Sequence, residues 1–258
     1  MKKTLFRYFV ELTGNPIASA LLKSFTTSRF SRLIIRPFSK AYQINENEME
    51  YPIGHYKSLQ AFFTRKLKAN SRSINTSPNT LISPVDGVLS GAGKIDSNHT
   101  FNIKNQTYSL NKIFGDVKKA DVYKDGHFFL LYLSPSHYHH FHYPIDGNLI
   151  SRFALGGISY PVNNLGLRLG DSPFSTNHRL ISEIMTAFGK VAIVKVGALN
   201  VNSIHINSSS KDCVKGNNFG HFSFGSTLIL FIENNPNFVP TTSLNVEVKM
   251  GKSIGEWT

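Results

Sequence analysis

The residues from Thr227 to Ile232 are almost wholly apolar, and they follow directly on a Gly-Ser pair at Gly225 and Ser226. Such a run of β-branched and aromatic residues predicts a buried strand, entered here through a tight turn. A small nucleophile therefore lies at the start of the strand, because the Ser226 hydroxyl is next to a carbonyl that no Gly225 side chain shields. A simple turn before a core strand explains these residues alone, so the rest of the chain decides between the two interpretations.

The chain contains several further strand-like segments and no repeated alternation of strands with helices. With 258 residues it can form one large domain, or one domain with an appendage. The other evident strands are Leu81 to Leu89, interrupted by Pro-Val-Asp-Gly, and His127 to Leu133, Val191 to Val196 and Leu244 to Val248. We therefore predict an α+β protein with a mainly antiparallel β sandwich or barrel-like core and amphipathic helices at the N-terminus.

The N-terminal region is both basic and apolar. The whole chain carries 28 Lys and Arg against 16 Asp and Glu, a net charge of +12, and Glu11 is the only acid before Tyr42. Three helical stripes are predicted there: Leu5, Phe9 and Leu12; then Ile17, Ala20, Leu21 and Phe25 behind Asn15-Pro16; then Arg29, Arg32, Arg36 and Lys40 beside Phe30 and Leu33 to Ile35, until Pro37 interrupts the helix. Basic and apolar faces together indicate helices that lie in a membrane interface, and helices packed on their own core are the alternative.

The predicted domains are residues 1–45, the membrane-associating helices, and residues 46–258, a β-rich catalytic domain. Arg7 and Glu11 interrupt the stretch that would form the core of a signal peptide, so we predict none. No run reaches the roughly 18 apolar residues of a spanning helix. The single cysteine, Cys213, cannot form an internal disulfide. We expect a peripheral protein on the cytoplasmic side of the cell membrane that binds an anionic lipid surface and no nucleic acid, since its aromatic residues are not interleaved with Lys and Arg.

Four of the ten histidines lie in one short segment, at His137, His139, His140 and His142. Zinc is a common partner of imidazole, and a β-rich zinc hydrolase that uses this cluster is our alternative function. In an extended strand His140 and His142 share a face and His139 points the opposite way, whereas in a helical turn His139 and His142 align. Because no Cys-x-x-Cys or His-Glu-x-x-His accompanies the cluster, we predict no metal site.

Asp86 is the third candidate residue, within Ser83-Pro84-Val85-Asp86-Gly87. An Asp before a Gly is ordinarily a turn residue that caps its own backbone. It can also orient a histidine, which would then take a proton from a serine, as in hydrolytic triads. Asp, His and Ser occur in many proteins, so their order along this chain is not specific by itself.

Three local motifs together supply the specificity. They are Ser-Pro-Val-Asp-Gly at 83–87, Leu-Ser-Pro-x-x-Tyr-His-x-x-His at 133–142 and Gly-x-Phe-x-x-Gly-Ser-Thr at 220–227. In this order the chain resembles phosphatidylserine decarboxylases, and the segment from Ser58 to Leu67, Arg72 and Asn177-x-Arg179 are also similar to that family. Phe224 stands where the family often has Leu, and we expect it to be accepted because that residue contributes no reacting atom.

The resemblance implies an enzyme that makes its own cofactor. Ser226 would attack the carbonyl of Gly225, with His142 as the base and Asp86 orienting it, and the resulting ester would eliminate to leave a pyruvoyl group at position 226. Cleavage would give a β chain, residues 1–225, and an α chain, residues 226–258, which stay associated. The pyruvoyl carbonyl would form a Schiff base with the amine of phosphatidylserine and release carbon dioxide and phosphatidylethanolamine.

His139 is the candidate that positions the substrate carboxylate or delivers a proton, since the family has a histidine there. A homodimer is consistent with the resemblance, although no residue pattern argues for it. Besides the zinc hydrolase, a non-catalytic lipid-binding domain remains an alternative, in which Gly225-Ser226 is only a turn.

Overall fold

The structure is a computed structural model that describes residues 16–103, 106–157, 172–197, 204–208, 210–223 and 226–258. The predicted first helix, with Leu5, Phe9 and Leu12, lies outside the described residues. The described strands are β1 (Thr80–Ile82), β2 (Gly87–Lys94), β3 (Thr100–Ile103), β4 (Gln106–Ser109), β5 (His127–Leu133), β6 (His140–His142), β7 (Gly147–Leu155), β8 (Arg179–Thr186), β9 (Gly189–Gly197), β10 (Ile204–Ile206), β11 (Asp212–Cys213), β12 (Asn218–Phe222), β13 (Ser226–Ile232), β14 (Phe238–Pro240), β15 (Glu247–Val248) and β16 (Ser253–Trp257).

An eight-stranded antiparallel sheet forms the centre of the molecule, in the order β11-β7-β8-β9-β13-β5-β2-β15. Strand β13 is paired along its whole length with β9 on one side and β5 on the other. Its alternate residues enter two different cores, with Leu228 and Leu230 in one and Ile229 and Phe231 in the other. Because both faces of this strand are buried, its sequence is apolar without alternation.

The two faces of the central sheet are covered by different elements. Two small sheets, β1-β16-β14 and β10-β12-β6, cover the face that includes Leu228. The opposite face is covered by the β3–β4 hairpin and by short helices, α4 (Leu110–Phe114), α5 (Val117–Asp121) and α6 (Pro173–Thr176). The prediction of an α+β protein with a mainly antiparallel, β-rich core is confirmed.

The N-terminal elements that the structure describes are helical, as predicted. They are α1 (Pro16–Thr27), a 3₁₀ helix (Arg29–Ile34), α2 (Ile35–Tyr42) and α3 (Leu59–Phe63). Ser58 caps α3, since its hydroxyl accepts a hydrogen bond from Ala61 N at 3.2 Å. The prediction that Pro37 interrupts the third helix was wrong, because Pro37 lies in the first turn of α2, where its missing N–H costs no intrahelical bond.

These helices are packed on one another and also expose apolar side chains. Ile35 and Phe38 share a buried cluster with Phe62, and the Ser31 hydroxyl accepts a hydrogen bond from Leu59 N at 2.9 Å. On the outer side Leu21, Phe30 and Leu33 are 67%, 78% and 80% exposed. In the part of the chain that is described, no helix is long and apolar enough to span a membrane.

Candidate active site

Ser226 is the first residue of β13, where two strands flank it. Its backbone lies opposite Leu133 at the end of β5 and opposite Gly197 at the end of β9. Phe224 and Gly225 lie outside the described residues, between β12 in a small sheet and β13 in the central sheet. The predicted cleavage site therefore falls in the connection between these two sheets.

The histidine segment lies beside the strand that leads to this connection. Strand β6 pairs with β12, with His142 opposite Asn218, and Phe222 N donates to His139 O at 2.8 Å. His140 and His142 lie on one face of the extended strand, where the amide nitrogen of Asn218 is 3.0 Å from His140 Nδ1 and 3.4 Å from His142 Nε2. The extended alternative of the sequence analysis is therefore the one that the structure adopts for β6.

His142 is held as a neutral imidazole. Its Nδ1 is 2.7 Å from the carbonyl oxygen of Gly216, which can only accept, so Nδ1 carries the proton. Burial lowers the pKa of His142 to about 4, although the hydrogen bond to Gly216 opposes this shift. Nε2, 3.3 Å from the Tyr138 hydroxyl, is consequently the unprotonated nitrogen at neutral pH. This arrangement suits a general base.

Asp86 lies in the turn between β1 and β2 and is buried in contact with Arg72. Arg72 Nε donates to the two carboxylate oxygens at 2.9 and 3.1 Å, Arg72 Nη2 donates to Oδ2, and Met250 N donates to Oδ1 at 2.9 Å. None of the hydrogen bonds described for Asp86 reaches His142, whose Nδ1 is occupied by Gly216 O. The negative charge of Asp86 nevertheless raises the pKa of His142, against the larger effect of burial. Direct orientation of His142 by Asp86 stays a prediction.

Arg72 belongs to a row of alternating charges that sequence reasoning did not find. Its Nη2 also donates to Glu48 at 2.8 Å, and Lys249 Nζ donates to the other oxygen of Glu48 at 3.2 Å. Glu48 gives no sequence signal of a buried contact, and Arg72 entered the sequence analysis only through the family resemblance. The row neutralises the buried carboxylate of Asp86.

His139 is completely buried and incompletely hydrogen-bonded. Its Nδ1 is 2.9 Å from His137 O, its ring centroid is 3.9 Å from that of Phe63, and its Nε2 has no hydrogen-bond partner among the described residues. Burial, followed by the positive charge of Arg65, lowers the pKa of His139 well below its usual value. The imidazole is therefore neutral, with one nitrogen free to contact a group that the described chain does not supply.

The other two histidines of the segment, His137 and His140, have structural partners. Ser134 N donates to His137 Nδ1 at 2.9 Å, and His140 Nε2 is 3.0 Å from Thr64 O. Among the described residues, no group of three or more His, Cys, Asp and Glu side chains could hold a metal ion. The described part of the chain therefore gives the zinc-hydrolase alternative no support.

A polar cleft of about 270 Å³ adjoins Asp86 and the turn before β6. Its lining includes both members of the Arg72–Asp86 pair, and Arg65, His137 and Tyr138. The predicted site residues thus lie around one region: Asp86 is at the cleft, His142 contacts Tyr138, and His139 directly precedes β6, where its carbonyl oxygen accepts from Phe222 N at the end of β12.

Comparison of the chain with known proteins shows which family it belongs to. The model of the phosphatidylserine decarboxylase family matches residues 59–256. The chain belongs to the phosphatidylserine decarboxylase family. This membership confirms the resemblance drawn from the three sequence motifs.

Named relatives of the chain extend over almost its entire length. The phosphatidylserine decarboxylase proenzyme of Halalkalibacterium halodurans is 45% identical over 100% of this chain and 99% of its own. The proenzyme of Geobacillus kaustophilus is 43% identical over 100% of this chain and 98% of its own. The proenzyme of Bacillus cereus strain B4264 is 40% identical over 98% of this chain and 97% of its own. Among solved structures, the glucose permease IIA of Mycoplasma capricolum is 15% identical over 68% of this chain and 93% of its own, with a TM-score of 0.36, too low to support an argument.

Replacement of Arg72 by methionine is expected to destabilise the protein by about 3–5 kcal/mol, because it leaves the Asp86 carboxylate buried without its counterion. The control is Lys249→Met, which removes the 52%-exposed end of the same row and should cost about 0–1 kcal/mol. Urea unfolding of both variants in a Ser226→Ala background measures the difference on a single uncleaved chain. Equal losses of unfolding free energy would show that Arg72 does not neutralise a buried charge.

Proposed function

We propose that this chain is a self-processing, pyruvoyl-dependent phosphatidylserine decarboxylase that converts phosphatidylserine to phosphatidylethanolamine and carbon dioxide. The observation that carries the proposal is the position of Ser226 at the first residue of β13, opposite the end of β5. The histidine segment follows β5 directly, and β6 within it pairs with the strand that leads to Ser226. Family membership over residues 59–256 supports the same conclusion.

Self-cleavage needs a nucleophile, a base and a group that orients the base. The Ser226 oxygen attacks the carbonyl carbon of Gly225, the bond to the Ser226 nitrogen breaks, and an ester forms. His142 Nε2 takes the hydroxyl proton, because its other nitrogen is already protonated against Gly216 O. Asp86 adds a negative charge that favours the imidazolium formed in this step, at a distance or by direct contact. Elimination then yields a carboxylate at Gly225 and dehydroalanine at 226, which takes up water and loses ammonia.

The pyruvoyl group made in this way supplies a carbonyl that condenses with the substrate amine and withdraws electrons as carbon dioxide leaves. A buried side-chain nitrogen without a partner among the described residues fits such a group, and His139 Nε2 is one. We assign His139 to positioning the substrate carboxylate or delivering the proton that replaces it. Its burial against Phe63 excludes water from that nitrogen.

The two chains stay together because cleavage falls at the start of the central strand. Residues 226–232 hydrogen-bond to β5 and β9, which both belong to the β chain, and the side chains of residues 228–232 enter the two cores. Separation of the chains would expose this apolar strand to water. A homodimer stays a prediction.

We further propose that the protein binds the cytoplasmic face of an anionic membrane through its N-terminal helices. Phe30 and Leu33 project from the 3₁₀ helix with most of their surface exposed, on a segment that also carries Arg29 and Arg32. Apolar side chains beside basic ones are the composition of helices that lie in a lipid interface. A diacyl substrate remains in the bilayer, so the enzyme must reach it there.

Replacement of Ser226 by alanine is expected to abolish both chain cleavage and carbon dioxide release, since the hydroxyl is the nucleophile and the precursor of the cofactor. The control Ser210→Ala removes a hydroxyl from an exposed loop and should retain both. Denaturing gels follow cleavage, and release of labelled carbon dioxide from phosphatidylserine follows the reaction. Decarboxylation by the Ser226→Ala variant at the parental rate would refute the proposed mechanism.

Substitution of the two histidines separates their roles. His142→Ala is expected to remain uncleaved, because it lacks the base, whereas His139→Ala is expected to self-cleave and to lose decarboxylation. Mass spectrometry measures the extent of cleavage. Release of labelled carbon dioxide measures decarboxylation, and it is measured only for the protein that has cleaved. If His139→Ala fails to self-cleave and His142→Ala cleaves normally, the two roles are reversed.

The double substitution Phe30→Ser with Leu33→Ser is expected to weaken binding to vesicles that contain anionic lipid, because it removes the two most exposed large apolar side chains among the described N-terminal residues. Self-cleavage should be unchanged. Val117→Ser, at a residue that is 62% exposed on α5, is the matched control and should sediment with vesicles like the parent. Equal sedimentation of the double variant and the parent would exclude these side chains from membrane binding.

A further inference from the structure

Arg65 is a buried cation that has no carboxylate partner among the described residues. The residue is 4% exposed, and its Nη2 donates to Ser136 O at 2.7 Å and His137 O at 3.1 Å. Nε and Nη1 have no hydrogen-bond partner within the described part of the chain. None of the ion pairs described for the protein includes Arg65. Arg72, in contrast, forms ion pairs with the carboxylates of Glu48 and Asp86.

This arrangement is costly for the protein unless another group completes it. Burial lowers the pKa of Arg65 to about 10, so the guanidinium is still charged at neutral pH. A buried N–H group without a partner destabilises the fold, because its hydrogen bonds to water are lost and not replaced. The nearby carboxylates of Asp86 and Glu48 are already engaged by Arg72. An anion from outside the chain would satisfy the charge and the unpaired nitrogens.

The position of Arg65 indicates which kind of anion can reach it. Arg65 lines the polar cleft of about 270 Å³ together with Ser136 and His137, in the turn between β5 and β6. The lining also includes Tyr42, the last residue of α2. The cleft thus extends from the turn that precedes His139 to the C-terminal end of α2, the helix that directly follows the 3₁₀ helix with the exposed Phe30 and Leu33. A lipid headgroup held between that segment and the histidine turn would lie beside this cleft.

We propose that Arg65 binds the phosphodiester of the phospholipid headgroup and thereby sets the requirement for a phosphate-bearing substrate. This inference rests on the proposed function. A guanidinium matches phosphate oxygens with two parallel hydrogen bonds. The scissile carboxylate is the poorer candidate, because its charge is lost during decarboxylation and an ion pair would stabilise the ground state over the transition state. The phosphodiester keeps its charge throughout, so the ion pair lowers KM without opposing catalysis.

The test compares Arg65→Gln, which keeps an N–H donor for Ser136 O, with Arg65→Lys, which keeps the charge. Lys68→Gln removes an exposed charge close by in the chain and is the matched control. Arg65→Gln should self-cleave at the parental rate and show a KM for phosphatidylserine in detergent micelles raised about tenfold to a hundredfold, with kcat little changed. Arg65→Lys should lie between it and the parent, and Lys68→Gln should match the parent. A KM unchanged in Arg65→Gln, or a loss confined to kcat, would overturn the proposal.

Two soluble inhibitors identify the anion. Glycerol 3-phosphate, which has a phosphate and no carboxylate, should compete with the substrate in the parent and lose this inhibition in Arg65→Gln. N-acetylserine, which has a carboxylate and no phosphate, should be unaffected by the substitution. The reverse pattern would overturn the assignment to the phosphodiester.

A binding measurement covers the case in which Arg65→Gln does not self-cleave, and it requires no pyruvoyl group. Calorimetric titration of glycerol 3-phosphate into the Ser226→Ala chain, with and without Arg65→Gln, should show binding that depends on Arg65. Absence of binding, or binding that is equal in both chains, would overturn the proposal. This titration does not depend on whether the parent chain cleaves itself. It can therefore show that Arg65 binds no phosphate even if the proposed function is correct, and that Arg65 binds phosphate even if the proposed function is wrong.

Discussion

Pairing of β13 on both edges, with both faces buried, is the constraint on which the rest of the structure depends. The seven residues Ser226–Ile232 hydrogen-bond to β5 and β9 in continuous antiparallel register, and the side chains of residues 228–232 contribute to two separate cores. The backbone of Ser226 therefore has a defined position at one end of the sheet. A chain break immediately before such a strand leaves the fold in place, which is what an enzyme that cleaves itself requires.

The candidate site contains buried charges that are paired, such as Asp86 with Arg72, and one buried charge, on Arg65, that has no described ion-pair partner. Arg72 and the backbone of Met250 satisfy Asp86, and Glu48 and Lys249 extend the alternation of charge to the surface. His139 and His142 are buried as neutral imidazoles, so neither brings a charge into the site at neutral pH. Arg65 is the exception among these groups. Its Nε and Nη1 have no hydrogen-bond partner among the described residues, which distinguishes a side chain that serves a ligand from one that serves the fold.

The sequence predicted the elements whose patterns are local. Strand β5, the apolar centre of β9 and β13 are each recognisable from a few consecutive residues. Strand β7 was missed because it is only partly buried and contains Ser151 and Arg152, so it lacks a continuous apolar run. The Arg72–Asp86–Glu48 contacts were missed for another reason: they join three segments whose approach depends on the tertiary fold, and Glu48 by itself resembles a solvated linker residue. Gly216, the acceptor for His142 Nδ1, gives no sequence signal, because it contributes only a backbone oxygen.

The central claim is that the chain breaks its own backbone before β13 to create a keto group. Intact mass spectrometry of the purified protein, before and after borohydride treatment, tests it most directly. The account predicts two fragments divided between Gly225 and Ser226, of which the smaller begins with a pyruvoyl group and gains hydrogen on reduction. A single 28.8 kDa chain that decarboxylates phosphatidylserine would contradict it.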